Sequence, residues 1–180
     1  MLIKFLHHAS FYLENQGYGL MTDPWFTSST IEKPVLQSLL PSQKTIDFQV
    51  PDHQYDMSMF LPKVFLISHL HTHHAHLEDI KYFLKKSLGV IDICIPKVSK
   101  GMYQSILQGL GDLREKARIT MCGHLDSHSF GPYTVTSFEQ IHGHHNIWYV
   151  SSASGSFMHL ADLGTNKNWW DRRQIGRAHV

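Results

Sequence analysis

The order of patterned segments along the chain predicts an α+β fold, a sandwich of two packed mixed sheets with outer helices. Short strand-like runs separated by turn residues open the chain. Two buried apolar runs, each followed by an amphipathic helical pattern, occupy its middle, and strand-like runs return after residue 132. The chain shows no internal repeat and no second domain, so residues 1–173 are expected to form one domain.

The opening segment is predicted to form three strands. Residues 3–6 and 10–14 are strand-like, and Asn15-Gln16-Gly17 between the second and third strands is a turn signal. The third strand, at 19–22, ends at Asp23-Pro24 because proline cannot continue a sheet ladder.

A long stretch at 27–60 follows, with three prolines and no clean hydrophobic period. We therefore expect a partly helical loop there. A loop of this length in a compact domain more often has a functional role than none.

The remaining elements follow from apolar runs and helical faces. Apolar residues recur on one helical face in two segments, and Gly109 and Gly111 end the second of them. The predicted elements are strands at 64–68, 91–95, 119–121, 133–138, 147–152 and 156–160 and helices at 77–86 and 98–110.

The composition is that of an ordinary soluble domain. Of the 180 residues, 42% are hydrophobic and 17% are charged, and the formal net charge is +1. This balance gives no electrostatic case for nucleic acid or an anionic membrane surface. No apolar run is long enough to span a bilayer, so a cytoplasmic location is expected. Cys94 lies in an apolar run and is predicted to be a buried thiol, and no disulfide framework is expected.

Histidine is concentrated in one short segment. Five of the 15 histidines fall within eight positions, directly after the predicted strand at 64–68; they are His69, His71, His73, His74 and His76. His69 and His71, two positions apart on a strand end, point to the same side, and His74 can fold back toward them. Three imidazoles placed in this way can hold one zinc-like ion and leave a position open for water. The alternative is a histidine-rich tract that binds metal loosely or caps a helix.

Three segments carry a family resemblance. His69-Leu70-His71-Thr72-His73-His74 resembles the H-x-H-x-D-H signature of the metallo-β-lactamase superfamily. Residues 6–14 and 20–26 are similar to the opening of one branch, and residues 157–164 look like the strand that delivers a metal-bridging aspartate. That branch contains ascorbate-6-phosphate lactonase-like enzymes, N-acylphosphatidylethanolamine phospholipases and CMP-N-acetylneuraminate hydroxylase-like proteins. The resemblance implies the superfamily's αβ/βα sandwich.

The resemblance also implies two metal positions. The first would be held by His69, His71 and a later histidine after the strand at 133–138, for which His142 is preferred over the alternatives His144 and His145. Asp162 would bridge the two metals, its alternative role being that of an ordinary turn residue.

The second metal position would use His74 together with His73. His73 stands where the family signature has aspartate, so this site lacks the charged ligand that orients the attacking hydroxide. Histidine can still ligate there, and we predict both a catalytic and a ligand role for His73 and Asp162.

Two further positions lie beside the metals in the resembled branch. Asp23 is predicted to hydrogen-bond a ligand histidine and fix its tautomer, and its alternative is a strand-ending turn. His8 is predicted to contact substrate or stabilise negative charge, and its alternative is a solvent-facing strand end. The aromatics Trp25, Phe26, Trp148, Trp169 and Trp170 are core residues or line a pocket.

These residues predict a metal-dependent hydrolase that uses metal-bound hydroxide on an ester, lactone or phosphodiester bond of a small molecule. Zn²⁺, as one or two ions, is the expected cofactor, with Mn²⁺ or Fe²⁺ as alternatives. A non-catalytic or degenerate metal-binding homologue is the second interpretation, and a metal-dependent nuclease, disfavoured by the near-neutral charge, is the third.

The last residues of the chain are not expected to belong to the natural protein. Residues 175–180, Ile-Gly-Arg-Ala-His-Val, match one reading frame of a widely used sequencing adapter. We therefore expect 174–180 to be a non-native tail on a domain that continues in the natural protein. The family's final histidine ligand would then be missing from this chain.

Overall fold

The structure of the protein is a computed structural model that describes residues 1–7, 9–26, 56–71, 73–140 and 145–161. These residues form two sheets with two α-helices. The first sheet has six strands in the order in which they occur along the chain. They are β1 (Leu2–His7), β2 (Ser10–Asn15), β3 (Tyr18–Thr22), β4 (Pro62–Leu66), β5 (Ile91–Pro96) and β6 (Ala117–Cys122).

The first sheet is mixed, as predicted. β1, β2 and β3 pair antiparallel, whereas the β3–β4, β4–β5 and β5–β6 pairs are parallel. The predicted turn between β2 and β3 is confirmed, with Gln16 at φ 54° and Gly17 at φ 73°. Two successive positive φ values match the right-handed twist of a two-residue hairpin, and glycine adopts this conformation at no steric cost.

The second sheet is antiparallel throughout its described strands, which corrects the expectation of two mixed sheets. It contains β7 (Ser127–Phe130), β8 (Tyr133–Glu139), β9 (Asn146–Ser152) and β10 (Gly155–His159), in the order β10-β9-β8-β7. Short connections join successive strands, and such connections permit antiparallel pairing only. The sequence prediction missed β7 because its four residues, Ser-His-Ser-Phe, include one strong strand former.

The helices α1 (Leu77–Lys86) and α2 (Lys100–Leu110) flank the first sheet. α1 has the predicted bounds, with acidic residues in its first turn and lysines in its last, which complement the helix dipole. α2 begins two residues later than predicted because Ser99 caps it, accepting a hydrogen bond from Met102 N at 3.3 Å. Short 3-10 helices cover Met57–Met59 and Gly111–Lys116.

Two apolar layers lie on opposite sides of the first sheet. Phe65 of β4 packs toward the helices with Phe83 of α1, whereas its neighbour Leu66 packs toward the second sheet with Trp148 of β9. Because successive strand residues face opposite sides, a strand buried on both faces must be apolar throughout. This explains the continuous apolar runs of β4 and β5, and it buries Cys94 completely, as predicted.

Some predictions fall on parts of the chain that the structure does not describe. They include most of the predicted loop, at 27–55, the aromatics Trp169 and Trp170, and the predicted non-native tail at 174–180. Within the described ranges, no helix combines the length and hydropathy that a membrane span requires.

Candidate metal centre

The histidine cluster lies in the loop that joins β4 to α1. His69 and His74 are buried at 1% and 0% relative exposure, and His71 and His73 are half-buried. One ring nitrogen each of His69, His71 and His73 lie within 4.8 Å of one another. Three of the five clustered histidines therefore bring a ring nitrogen close together, after the C-terminal end of a buried strand.

Backbone hydrogen bonds fix the start and the turn of this loop. Ile67 N donates to Cys94 O at 2.9 Å, and Asn146 N, from the second sheet, donates to Ser68 O at 2.8 Å. The chain then turns, with His74 N donating to His71 O at 2.9 Å. The imidazoles consequently project from a backbone that both sheets hold in place.

Asp23 and Ser68 form a polar layer beneath the imidazoles. Ser68 N donates to Asp23 Oδ1 at 2.7 Å, and Ser68 Oγ donates to Asp23 Oδ2 at 2.6 Å. Asp23 is completely buried and has φ 39°, a left-handed conformation that aspartate tolerates better than most residues. Strained backbone of this kind is characteristic of functional sites.

Asp23 also fixes the tautomer of His74. His74 Nδ1 lies 2.8 Å from Asp23 Oδ2. Burial alone raises the pKa of Asp23, but hydrogen bonds from His159 and His74, and attraction to both rings, outweigh burial and hold the pKa below its usual value. An ionised carboxylate can only accept, so His74 donates through Nδ1, and the neutral form of this ring has its lone pair on Nε2.

His69 is oriented by the same layer. Its Nδ1 lies 3.0 Å from Ser68 Oγ, and because that hydroxyl already donates to Asp23, His69 Nδ1 is the donor here. Its Nε2 faces His71 Nδ1 at 2.9 Å. Burial, followed by the neighbouring imidazoles, lowers the pKa of His69 to about 2, so His69 is neutral at physiological pH. A neutral imidazole is the form that binds metal.

Two other rings border the cluster. His145, which precedes β9, stacks on His69 with ring centroids 4.3 Å apart and an interplanar angle of 11°. Trp25 lies with its ring 5.9 Å from that of His73. Trp25 is 6% exposed, as is expected of a core aromatic that lies beside the site.

The structure thus brings together five of the residues singled out from the sequence, namely Asp23, His69, His71, His73 and His74. His8, His142, His144 and Asp162 lie outside the described residues, so their predicted roles stay predictions. Of the three alternatives for the third ligand, His145 is the one within the described part of the chain, and it stacks on His69.

Two polar residues of the site were missed by the sequence reasoning. Ser68 was assigned to the strand, although it immediately precedes the cluster. His159 was treated as part of a strand, yet its Nε2 lies 2.7 Å from Asp23 Oδ2. The sequence did contain a signal for His159. This histidine lies two positions after Phe157, on the same face of a strand predicted to pack on a core, where residues are normally apolar.

The residues present fit a divalent transition metal. The donor set is imidazole nitrogen, which suits zinc, iron and related ions. His69 and His74 each have Nδ1 engaged by the Ser68–Asp23 layer, so Nε2 is the nitrogen through which either ring would bind a metal. The fold and this site together define a two-sheet metallo-β-lactamase-like protein with a histidine metal centre.

Comparison with protein families agrees with that class. The family model described as Beta-lactamase superfamily domain (Lactamase_B_3) matches residues 2–180, so the chain belongs to this family. A comparison with curated protein sequences finds no match.

Solved structures with the same fold are distant in sequence. A protein described as a possible metal-dependent hydrolase from Veillonella parvula DSM 2008 matches with a TM-score of 0.59 and 11% identity, covering 89% of this chain and 62% of that one. CmlA, a diiron β-hydroxylase from Streptomyces venezuelae, gives 0.55 and 18%, covering 89% and 29%. Igni18, a metallo hydrolase from Ignicoccus hospitalis KIN4/I, gives 0.51 and 14%, covering 89% and 60%. The chain therefore spans less than two thirds of each of these proteins.

Proposed function

We propose that this chain is a metal-dependent hydrolase that cleaves an ester, lactone or phosphodiester bond in a small molecule. The observation that carries the proposal is the convergence of His69, His71 and His73, of which one ring nitrogen each lies within 4.8 Å of the others, beside a buried polar layer. A divalent ion bound there would acidify a water molecule and polarise the bond to be cleaved. Zn²⁺ is the proposed ion, and Mn²⁺ and Fe²⁺ suit the same ligands.

Different residues of the chain would bind the metal, contact the substrate and exclude water. His69, His71 and His73 would hold the metal, with His74 presented by Asp23. His142 and Asp162 are proposed, from the sequence resemblance, as further ligands, and His8 as a substrate contact. Trp25 and the half-buried rings would exclude bulk water from one side of the centre.

A second candidate is a metal-binding protein without hydrolytic activity. The observation that favours it is His73, since imidazole is neutral where the family signature has a carboxylate. A neutral ligand orients an attacking water less strongly than a carboxylate does, and it accepts no proton while it is bound to metal.

The test measures binding and chemistry separately. Metal-free protein is loaded with Zn²⁺, Mn²⁺ or Fe²⁺, bound metal is measured by elemental analysis, and a nitrophenyl ester, a lactone and a bis-nitrophenyl phosphodiester are assayed. We expect His71→Gln to lose bound metal and activity together. His124→Gln is the matched control, because His124 is exposed and its ring contacts Phe138 rather than the cluster.

Each outcome separates the candidates. Metal binding with turnover of one substrate supports the hydrolase and identifies the bond. Stoichiometric metal binding without turnover of any substrate supports the second candidate. Unchanged metal binding in His71→Gln would contradict the proposed centre.

A further inference from the structure

The contact between His159 and Asp23 joins the two sheets at the metal centre. His159 is the last residue of β10 in the second sheet, and Asp23 directly follows β3 in the first. Their side chains are 3% and 0% exposed, and His159 Nε2 lies 2.7 Å from Asp23 Oδ2. The two residues are 136 positions apart in sequence. The proposed reaction assigns no role to this imidazole.

Asp23 Oδ2 is shared between this contact and the candidate centre. The same oxygen accepts hydrogen bonds from Ser68 Oγ at 2.6 Å and from His74 Nδ1 at 2.8 Å. Because a carboxylate oxygen accepts, both imidazoles present a proton to it. His159 and His74 are therefore linked through two hydrogen bonds to one carboxylate oxygen.

The ring of His159 is itself held in a fixed orientation. Phe157 stacks parallel to it with centroids 6.4 Å apart, and Phe11 meets it edge-on at 6.0 Å. Its strand partner in the β9 register is Trp148. Burying a polar ring in such surroundings costs free energy unless its N–H donates a hydrogen bond. The bond to Asp23 meets this requirement.

We propose that His159 is a positioning residue of the metal centre. From the second sheet it holds the carboxylate of Asp23 with Oδ2 toward His74, so that His74 keeps Nδ1 on Asp23 and presents Nε2 to the metal. The same bond anchors the end of β10, from which the chain reaches the proposed ligand Asp162 in three residues. This inference rests on the proposed metal centre and adds a residue that neither the signature nor the ligand set contains.

Three variants separate positioning from packing. His159→Phe keeps an aromatic ring between Phe11 and Phe157 but removes the N–H. His159→Gln returns an N–H donor at a similar reach. Phe130→Leu is the control, since it alters core packing in β7, at the other edge of the same sheet, and leaves the bond to Asp23 in place.

The first measurement is zinc affinity, by competition with a chromophoric chelator. We expect His159→Phe to weaken zinc binding about 10-fold or more, His159→Gln to recover it to within about threefold, and Phe130→Leu to match the wild type. Wild-type affinity in His159→Phe, or equal losses in the Phe and Gln variants, would overturn the proposal.

The second measurement needs no metal. In the metal-free protein, the imidazole ¹⁵N signals of His74 should shift in His159→Phe and return toward their wild-type positions in His159→Gln. Unchanged His74 signals in His159→Phe would overturn the positioning role. If the wild type bound no zinc, the proposed function would fail, whereas these signals would still decide the role of His159. If His159→Phe does not unfold cooperatively in urea, His159→Asn replaces it. The asparagine side chain is one methylene shorter than that of glutamine, so its amide does not reach Asp23.

Discussion

Replacing Asp23→Asn tests whether the buried carboxylate organises the site. Asp23 Oδ1 accepts from Ser68 N, and Oδ2 accepts from Ser68 Oγ, His74 Nδ1 and His159 Nε2, all within 2.8 Å. An asparagine amide offers one acceptor and one donor group. If the asparagine NH₂ takes the place of Oδ1, it faces one donor, the N–H of Ser68. If it takes the place of Oδ2, it faces three donors, so the first orientation costs less.

The expected cost follows from that geometry. One buried donor loses its acceptor, which costs about 1–3 kcal/mol, and the three remaining hydrogen bonds lose the assistance of a charge. The free energy of unfolding should fall by about 3–5 kcal/mol, the sum of one unsatisfied buried donor and three hydrogen bonds that no longer involve a charge. Ser68→Ala, which removes one donor and keeps the carboxylate, should lose about 1–2 kcal/mol.

The assay is urea unfolding of the metal-free protein at neutral pH, with zinc affinity measured in parallel. Asp56→Asn is the control, because Asp56 is exposed and its carboxylate accepts local hydrogen bonds from Ser58. We expect the control to unfold like the wild type. A loss below about 1 kcal/mol in Asp23→Asn would refute the reasoning, since it would mean that the donors find other partners.

Three further predictions concern other groups of the protein. Replacing His73→Asp should raise the number of metal ions bound per chain, because a charged oxygen ligand returns to the signature position; an unchanged count by elemental analysis would count against this. The thiols of Cys94 and Cys122 should resist a disulfide reagent until the protein unfolds, because a hydrogen bond between them and burial raise the pKa of Cys94; fast labelling of native protein would contradict the buried thiol pair. The metal-free protein should lose stability as the pH falls below 6.5, the ordinary pKa of His69, because the unfolded chain takes up a proton there while folded His69 stays neutral to about 2. That slope is at most about 1.4 kcal/mol per pH unit, and it should flatten in His69→Leu when urea midpoints are compared across pH.

The first sheet and both helices could be predicted because their signals are local. β4 and β5 are continuous apolar runs, and α1 shows one apolar face with complementary charges at its ends. The histidine cluster was visible for the same reason, since its members are close in sequence. β7 could not be predicted because its short, polar sequence has no strand pattern of its own and forms a strand by pairing with β8.

The polar layer under the cluster could not be predicted in the same way. Asp23 and Ser68 form this layer and His159 bonds to it, and the three residues come from distant parts of the chain. The family resemblance suggested the role of Asp23, and the strand position of His159 marked that histidine as unusual. No local pattern, however, shows which group such a histidine contacts. Only the packing of the two sheets, which fixes Asn146 against Ser68, brings these groups into register.

The long sequence separations at the site have a consequence for how the protein folds. β1–β2–β3 and β7–β8–β9–β10 are meanders of neighbouring strands, whose contacts close small loops at little entropic cost. By contrast, Asn146 meets Ser68 across 78 positions, and His159 meets Asp23 across 136. Non-local contacts of this kind form after local ones, so we expect the meanders to form early and the two sheets to dock late. The metal-binding pocket is then a product of the last folding step, and a metal ion added during refolding would report when that step is complete.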